Sequence, residues 1–256
     1  TIVPEMLRQS STFAAHKIAE SLDLLDLKFI TPGDQDFALG EDFLVGISHK
    51  HKFKFLISNS SKKMKIKHTK WGHIKANGTN FFFLGVVSPD LIKPSLQSLF
   101  ISPIQALEKH IKIINTKFPK LKNKKFILLS HSGLDPDRNL AKRIPHFDWI
   151  IGAHSQSYLR FSEDVGNTQL VQVLSRNHYL GDITFPHNVE KKVSYNIHET
   201  RSETKDLIKP NKMISWLDSY KSEFDKILVS EQKLDTIDET QLKFLATSMN
   251  NKNHSN

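Results

Sequence analysis

The sequence predicts a layered α/β fold with a mixed sheet, on three observations. Phe126-Ile127-Leu128-Leu129 and Trp149-Ile150-Ile151 are continuous apolar runs, as in strands buried on both faces. Ahead of the first run, Ile104, Leu107, Ile111, Ile114 and Phe118 step by three and four along one face of a helix. Asn77-Gly78 separates two strand-like stretches, Trp71 to Ala76 and Thr79 to Val87, and both turn residues tolerate positive φ, so a two-residue hairpin is expected.

The remaining elements follow in order. Ala14, Ile18, Leu22 and Leu25 form the stripe of a first helix. Phe29-Ile30-Thr31 reads as a short strand ending in the polar turn Pro32 to Phe37. Phe53, Phe55 and Ile57 alternate as in a strand with one buried face. The helix from Pro103 to Phe118 has Ser102 as a cap, Pro103 in its first turn and Gln105 to complete a capping box. A short helix is expected at Asp137 to Arg143, and strands at Leu170 to Leu174, Gly181 to Phe185 and Val193 to Ile197. Met213, Leu217, Tyr220, Phe224 and Ile227 then mark a long amphipathic helix, followed by a polar tail from Ser248 to Asn256. The expected domains are 1–199 and a helical C-terminal extension, 200–256.

Composition narrows the chemistry. The 256 residues are 38% hydrophobic and 25% charged, which is globular rather than disordered. With no cysteine, disulfides, thiolate metal sites and Cys nucleophiles are excluded. No apolar run approaches the length of a membrane span, and Thr1 to Met6 is no signal peptide. The net charge of +9 is compatible with an anionic partner. Its lysines are dispersed apart from Lys62 to Lys67 and Lys120 to Lys125, both read as solvated loops, and no nucleic-acid partner is expected. His49, His51, His68 and His73 lie in a Lys-rich stretch and read as surface residues. There is no Gly-rich phosphate loop and no nucleophile elbow.

In open α/β sheets, ligands bind beyond the carboxyl ends of strands. Three predicted strand ends carry metal-ligating side chains: Asp34, Gln35 and Asp36; Ser130-His131-Ser132-Gly133; and Gly152-Ala153-His154-Ser155-Gln156. A histidine at the end of a buried strand needs a partner, because an unpaired imidazole there costs free energy. Two neutral imidazoles and a carboxylate suit Zn²⁺, Mn²⁺ or Fe. Hydrogen-bonded structural histidines are the competing reading.

At these residues the sequence resembles the calcineurin-like metallophosphoesterases, 5'-nucleotidase branch. Leu128 to Leu134 and Asp148 to Gln156 match its strand-end "SH" and "GHSQ" motifs. Pro32-Gly33-Asp34-Gln35-Asp36-Phe37 falls where the family has "GNHEFD", and Val86 to Asp90, Val171-Gln172 and Tyr179-Leu180-Gly181 resemble later segments. The resemblance covers residues 12 to 198 and implies a four-layer α/β/β/α sandwich with mixed sheets. It implies divalent metal cofactors (Mn, Zn, Fe or Mg), with Asp34, His131, His154 and Gln156 as ligands. The catalytic candidates are Gln35, placed near the leaving group, and His131. Asn59 and His178 are candidate substrate contacts, each weighed against a structural role.

The implied activity is hydrolysis of a small phosphate ester, a nucleotide among the candidates, by a metal-activated water. Relatives of this kind imply a periplasmic or extracellular location. The family's opening Asp-x-His motif and its bridging Asp have no match, so the domain is expected to be N-terminally incomplete, and Gln35 stands where the family has His. The alternative reading is a catalytically degenerate member that binds a ligand or partner.

Overall fold

The computed structural model describes residues 8–174, 178–186, 193–200 and 212–230. The polar tail from Ser248 lies outside the described residues, as does the chain start before residue 8. The chain divides into two compact units, residues 1–25 with 209–256, and residues 26–208. The first helix, placed by its sequence position in a domain spanning 1–199, thus groups with the C-terminal helix.

In the smaller unit, α1 (Arg8–Leu24) and a helix over residues 212–230 meet through aromatic rings. Phe13 stacks on Tyr220 with centroids 6.0 Å apart and on Phe224 at 6.3 Å. Trp216 Nε1 donates to Glu20 at 3.3 Å. Leu217, assigned to the apolar stripe, is exposed instead, and Trp216 occupies the packed face.

The larger unit begins with β1 (Phe29–Ile30), a 3₁₀ turn at Asp34–Leu39, α2 (Glu41–Lys50), β2 (Lys54–Leu56) and β3 (His68–Thr69). The hairpin strands β4 (Trp71–Ala76) and β5 (Thr79–Val87) follow, then the one-turn α3 (Pro94–Gln97). Next come α4 (Pro103–Lys117), β6 (Lys124–His131), α5 (Leu134–Arg143) and β7 (Trp149–Gly152). The last strands are β8 (Glu163–Val165), β9 (Thr168–Val171), β10 (Tyr179–Thr184) and β11 (Ser194–Glu199).

The sheets are mixed, as expected. Six strands run in the order β4-β5-β6-β7-β9-β8, with β5, β6, β7 and β9 parallel and an antiparallel strand at each edge. A parallel trio, β1-β2-β3, and an antiparallel pair, β10-β11, complete the unit. The hairpin turns through Asn77 (φ 51°) and Gly78 (φ 74°), with Ala76 opposite Thr79.

Alternation in β5 divides the core. Phe82, Leu84 and Val86 face Leu107, Ile111 and Ile114 of α4, Leu140 of α5 and Ile144 just after it, and all are buried. Phe81 faces the other way, towards Ile127, Trp149, Ile183 and Phe185. The Arg138 guanidinium of α5 binds the Glu163 carboxylate of β8 through two bonds of 2.7 and 2.8 Å.

The structure departs from the sequence reading at four points. Ser102 occupies the cap of α4 without a side-chain hydrogen bond, so the capping box does not form, and Pro103 in the first turn supplies the helical φ. The β2 region alternates only in part: Phe53, Phe55 and Ile57 are buried with Lys54 exposed between the first two, as expected, but Leu56 is buried as well. Helix α2 was not predicted, since its ten residues bury only Leu44, Ile47 and Ser48. His68, expected on the surface, is half-buried: its Nε2 lies 2.5 Å from Ser60 Oγ and its Nδ1 2.6 Å from Ile66 O.

Candidate metal centre

Three separate segments build the site. Asp34 opens the 3₁₀ turn that follows β1. The turn is fastened by its own third residue: Gly33 N–H donates to the Asp36 carboxylate at 2.6 Å, and Asp36 N–H donates to Gly33 O at 3.1 Å. His131 is the last residue of β6, and its carbonyl accepts from Ser88 N–H at 3.2 Å. His154 follows β7 by two residues in a left-handed conformation, φ 80°.

These side chains converge. His131 Nε2 lies 2.8 Å from Asp34 Oδ1, and His154 Nδ1 lies 3.5 Å from the same oxygen. The two imidazole rings have centroids 5.1 Å apart and meet at 72°. One nitrogen from each ring and a carboxylate oxygen lie within 4.8 Å of one another. Asp34 and His131 are mostly shielded, at 20% and 17% exposure, and His154 opens to solvent at 34%.

Burial alone would raise the Asp34 carboxyl. The hydrogen bond and charge of His131, the charge of His154 and the amide of Gln35 outweigh it, so the carboxyl titrates below its usual range. The donor set thus joins a carboxylate held ionised to two imidazoles, which fits a borderline divalent cation. Gly33 forms a cradle for the site, because a Cβ there would lie 2.5 Å from His131 Cε1.

The other sequence candidates sort themselves. Gln35 is at the cluster: its Nε2 donates to Asp34 Oδ2 at 3.0 Å. Gln156 is exposed and left-handed (φ 53°), two residues beyond His154, and its assignment as a ligand rests on that position. Asn59 is corrected. It is fully buried, its Nδ2 donates to Val87 O at 2.8 Å and Ile101 O at 3.1 Å, and its Oδ1 accepts from Val87 N–H at 3.2 Å. Its amide ties backbone segments together, with both Nδ2 hydrogens used and the side chain shut off from solvent. His178 is exposed just before β10 and is not among the clustered donors. Sequence reasoning missed the role of Asp36, although an acidic residue three positions into a tight turn is the ordinary signal for such a cap.

No family model and no curated protein matches the chain. Solved structures do. A 5'-nucleotidase from Staphylococcus aureus superposes with a TM-score of 0.66 at 11% identity, over 83% of this chain and 44% of that one. A Thermus thermophilus 5'-nucleotidase precursor gives 0.61 at 16%, over 88% and 46%. The NAD nucleotidase NadN of Haemophilus influenzae gives 0.60 at 16%, over 82% and 53%. The fold is metallophosphoesterase-like. The chain spans about half the length of these proteins.

On this metallophosphoesterase-like scaffold, Gly33→Ala is an informative substitution. Gly33 has φ −104°, which any residue adopts, so the added methyl acts only by crowding. It forces the His131 ring away from Asp34 and, if the cluster holds a cation, is expected to weaken Mn²⁺ binding about 10-fold, within the range for supporting positions around metal ligands. Calorimetric titration reads the loss, and the thermal midpoint should stay close to that of the parent.

Proposed function

We propose that this protein is a metal-dependent phosphoesterase that holds a divalent cation with Asp34, His131, His154 and Gln156 and hydrolyses a small phosphate ester, nucleotides being among the candidates. The convergence of Asp34, His131 and His154 from three strand ends carries the reading. When bound, a cation at such a site supplies positive charge to a phosphate oxygen and acidifies a bound water. Asp34 contributes the negative charge, kept ionised by its two imidazole neighbours. Gln35, anchored on Asp34 Oδ2, has its second amide hydrogen to offer an ester or phosphate oxygen. It has no proton to give at neutral pH, so the leaving alcohol departs without an acid from this position. Esters with good leaving groups, such as p-nitrophenyl phosphate, are therefore the preferred substrates. We also propose a periplasmic or extracellular location; one structural relative is described as a precursor.

The test is calorimetric titration with Mn²⁺, then release of p-nitrophenol from p-nitrophenyl mono- and diesters and of phosphate from nucleoside monophosphates, with and without Mn²⁺. Metal-dependent turnover supports the proposal, and absence of both binding and turnover overturns it. A second reading, binding without hydrolysis, is favoured by one observation: Gln35 stands beside the site where the resemblance has a histidine. Tight Mn²⁺ binding with no turnover on any ester would select it.

A further inference from the structure

The backbone that carries His154 is bent in an uncommon way. Ser155 N–H donates to Ala153 O at 3.2 Å, closing a three-residue turn with His154 at its centre at φ 80°. That is a γ-turn of the strained hand. Two residues on, Gln156 is also left-handed at φ 53°. Non-glycine residues keep such conformations only where their surroundings over-determine them.

The surroundings here converge on Ser155 and Gln172. Ser155 Oγ accepts from Leu134 N–H, in the first turn of α5, at 3.1 Å. Its single hydroxyl proton goes to Gln172 Oε1 at 3.0 Å, and Ser157 Oγ lies 3.1 Å away as a further donor. Gln172 also fastens the far end of the loop, since its backbone carbonyl accepts from Leu159 N–H at 3.0 Å. One residue just past β9 therefore holds the 153–159 loop at two points. Gln172 is itself 2% exposed, and its Nε2 is buried with no hydrogen-bond partner among the described residues. A buried amide with half its capacity unused costs free energy that an apolar side chain of the same size avoids. Its use lies in the bond from Oε1.

We propose that Gln172 is a positioning residue: through Ser155 it fixes the turn that aims the His154 ring at Asp34 and His131. This rests on the reading of those three residues as a cation site. The experiment compares the parent protein with Gln172→Met, which keeps the size and removes the acceptor, with Ser155→Ala, and with the double variant. Amide hydrogen exchange is followed without metal, and Mn²⁺ affinity by calorimetry. Peptides covering 153–159 are expected to exchange about 10-fold faster in each single variant, with β5 and β6 unchanged, as loss of one local hydrogen bond implies. Mn²⁺ affinity is expected to fall about 10- to 100-fold, as for other residues that orient a ligand. The double variant should be no worse than Ser155→Ala, because the side-chain bond that Gln172→Met removes is already absent there.

Exchange at 153–159 within about twofold of the parent in both single variants overturns the proposal; one lost hydrogen bond predicts more than that. An equal rise across β5 and β6 also overturns it, because that marks a role in folding alone. If Gln172→Met does not fold, Ser155→Ala, on an exposed residue, decides by the same criteria. Should the parent bind no Mn²⁺ while exchange responds locally, the cation reading fails and the hold on the turn stands. Should the parent bind Mn²⁺ and the variants bind it equally with slow exchange, the cation reading stands and Gln172 has no positioning role.

Discussion

On the proposed function, His131→Ala is expected to lower Mn²⁺ affinity by more than about 100-fold and to abolish metal-dependent ester hydrolysis. Changes to residues that merely orient metal ligands cost about 10- to 100-fold, and a lost ligand exceeds that. His131 is the better choice of the two histidines because it does two things. Its Nε2 lies 2.8 Å from Asp34 Oδ1, and its hydrogen bond and charge hold the Asp34 carboxyl low. Without the ring, burial is less opposed and the carboxyl titrates nearer its ordinary range, where it stays largely ionised down to pH 5. The affinity loss should narrow as pH falls from 7 towards 5, because protons compete with the cation for imidazole nitrogens and the parent has one more such ligand to lose. His131 sits at a strand end, and its ring is only partly shielded at 17% exposure, so the thermal midpoint should drop little. Calorimetric titrations at two pH values, with thermal unfolding as the control, read all three effects. Unchanged Mn²⁺ affinity would remove the metal centre.

Strand ends were the legible part of this molecule. Phe126 to Leu129 and Trp149 to Ile151 announced buried parallel strands because such strands show apolar side chains on both faces. A histidine just past each run was then conspicuous. What composition and period could not show was the direction each side chain takes after the strand. His131 and His154 meet because β6 and β7 are adjacent and parallel, with Ser130 opposite Gly152. Asp34 reaches them because a separate sheet delivers its turn to the same edge. Asn59 failed as a substrate contact for a related reason. Polar residues after a strand look alike in sequence, and only the fold shows that Val87 and Ile101 take up its amide. The stripe of the C-terminal helix was read correctly as a packed face, but a 3.6-residue period left Trp216 and Leu217 undecided at its margin.

Asp137→Asn is expected to flatten the dependence of stability on pH and to leave the protein more stable than its parent above neutrality. Asp137 lies on α5, is fully buried, and has Oδ1 2.5 Å from Ser130 Oγ. Its Oδ2 is pressed against Gly152, where a Cβ would stand 2.5 Å away, and has no hydrogen-bond partner among the described residues. Ser130 has one hydroxyl proton and two oxygens in reach, since Ser132 Oγ lies 3.1 Å away. All of these contacts are satisfied when Asp137 is a neutral acid that donates to Ser130, which in turn donates to Ser132. Burial pushes the carboxyl up to about 7, against the opposing effect of the Ser130 hydrogen bond. Because the folded state keeps a proton that the unfolded chain has lost, this contribution is fully present below about pH 4 and fades as pH rises through 7. Asparagine carries no such titration and has an amide N–H for Ser130 Oγ. Urea unfolding of both proteins at pH 5, 6, 7 and 8 isolates the effect as a difference, because every other carboxylate is common to the pair. The stability of the variant minus that of the parent should climb between pH 5 and 7 and level off by pH 8, and parallel curves would show that Asp137 is ionised in the fold.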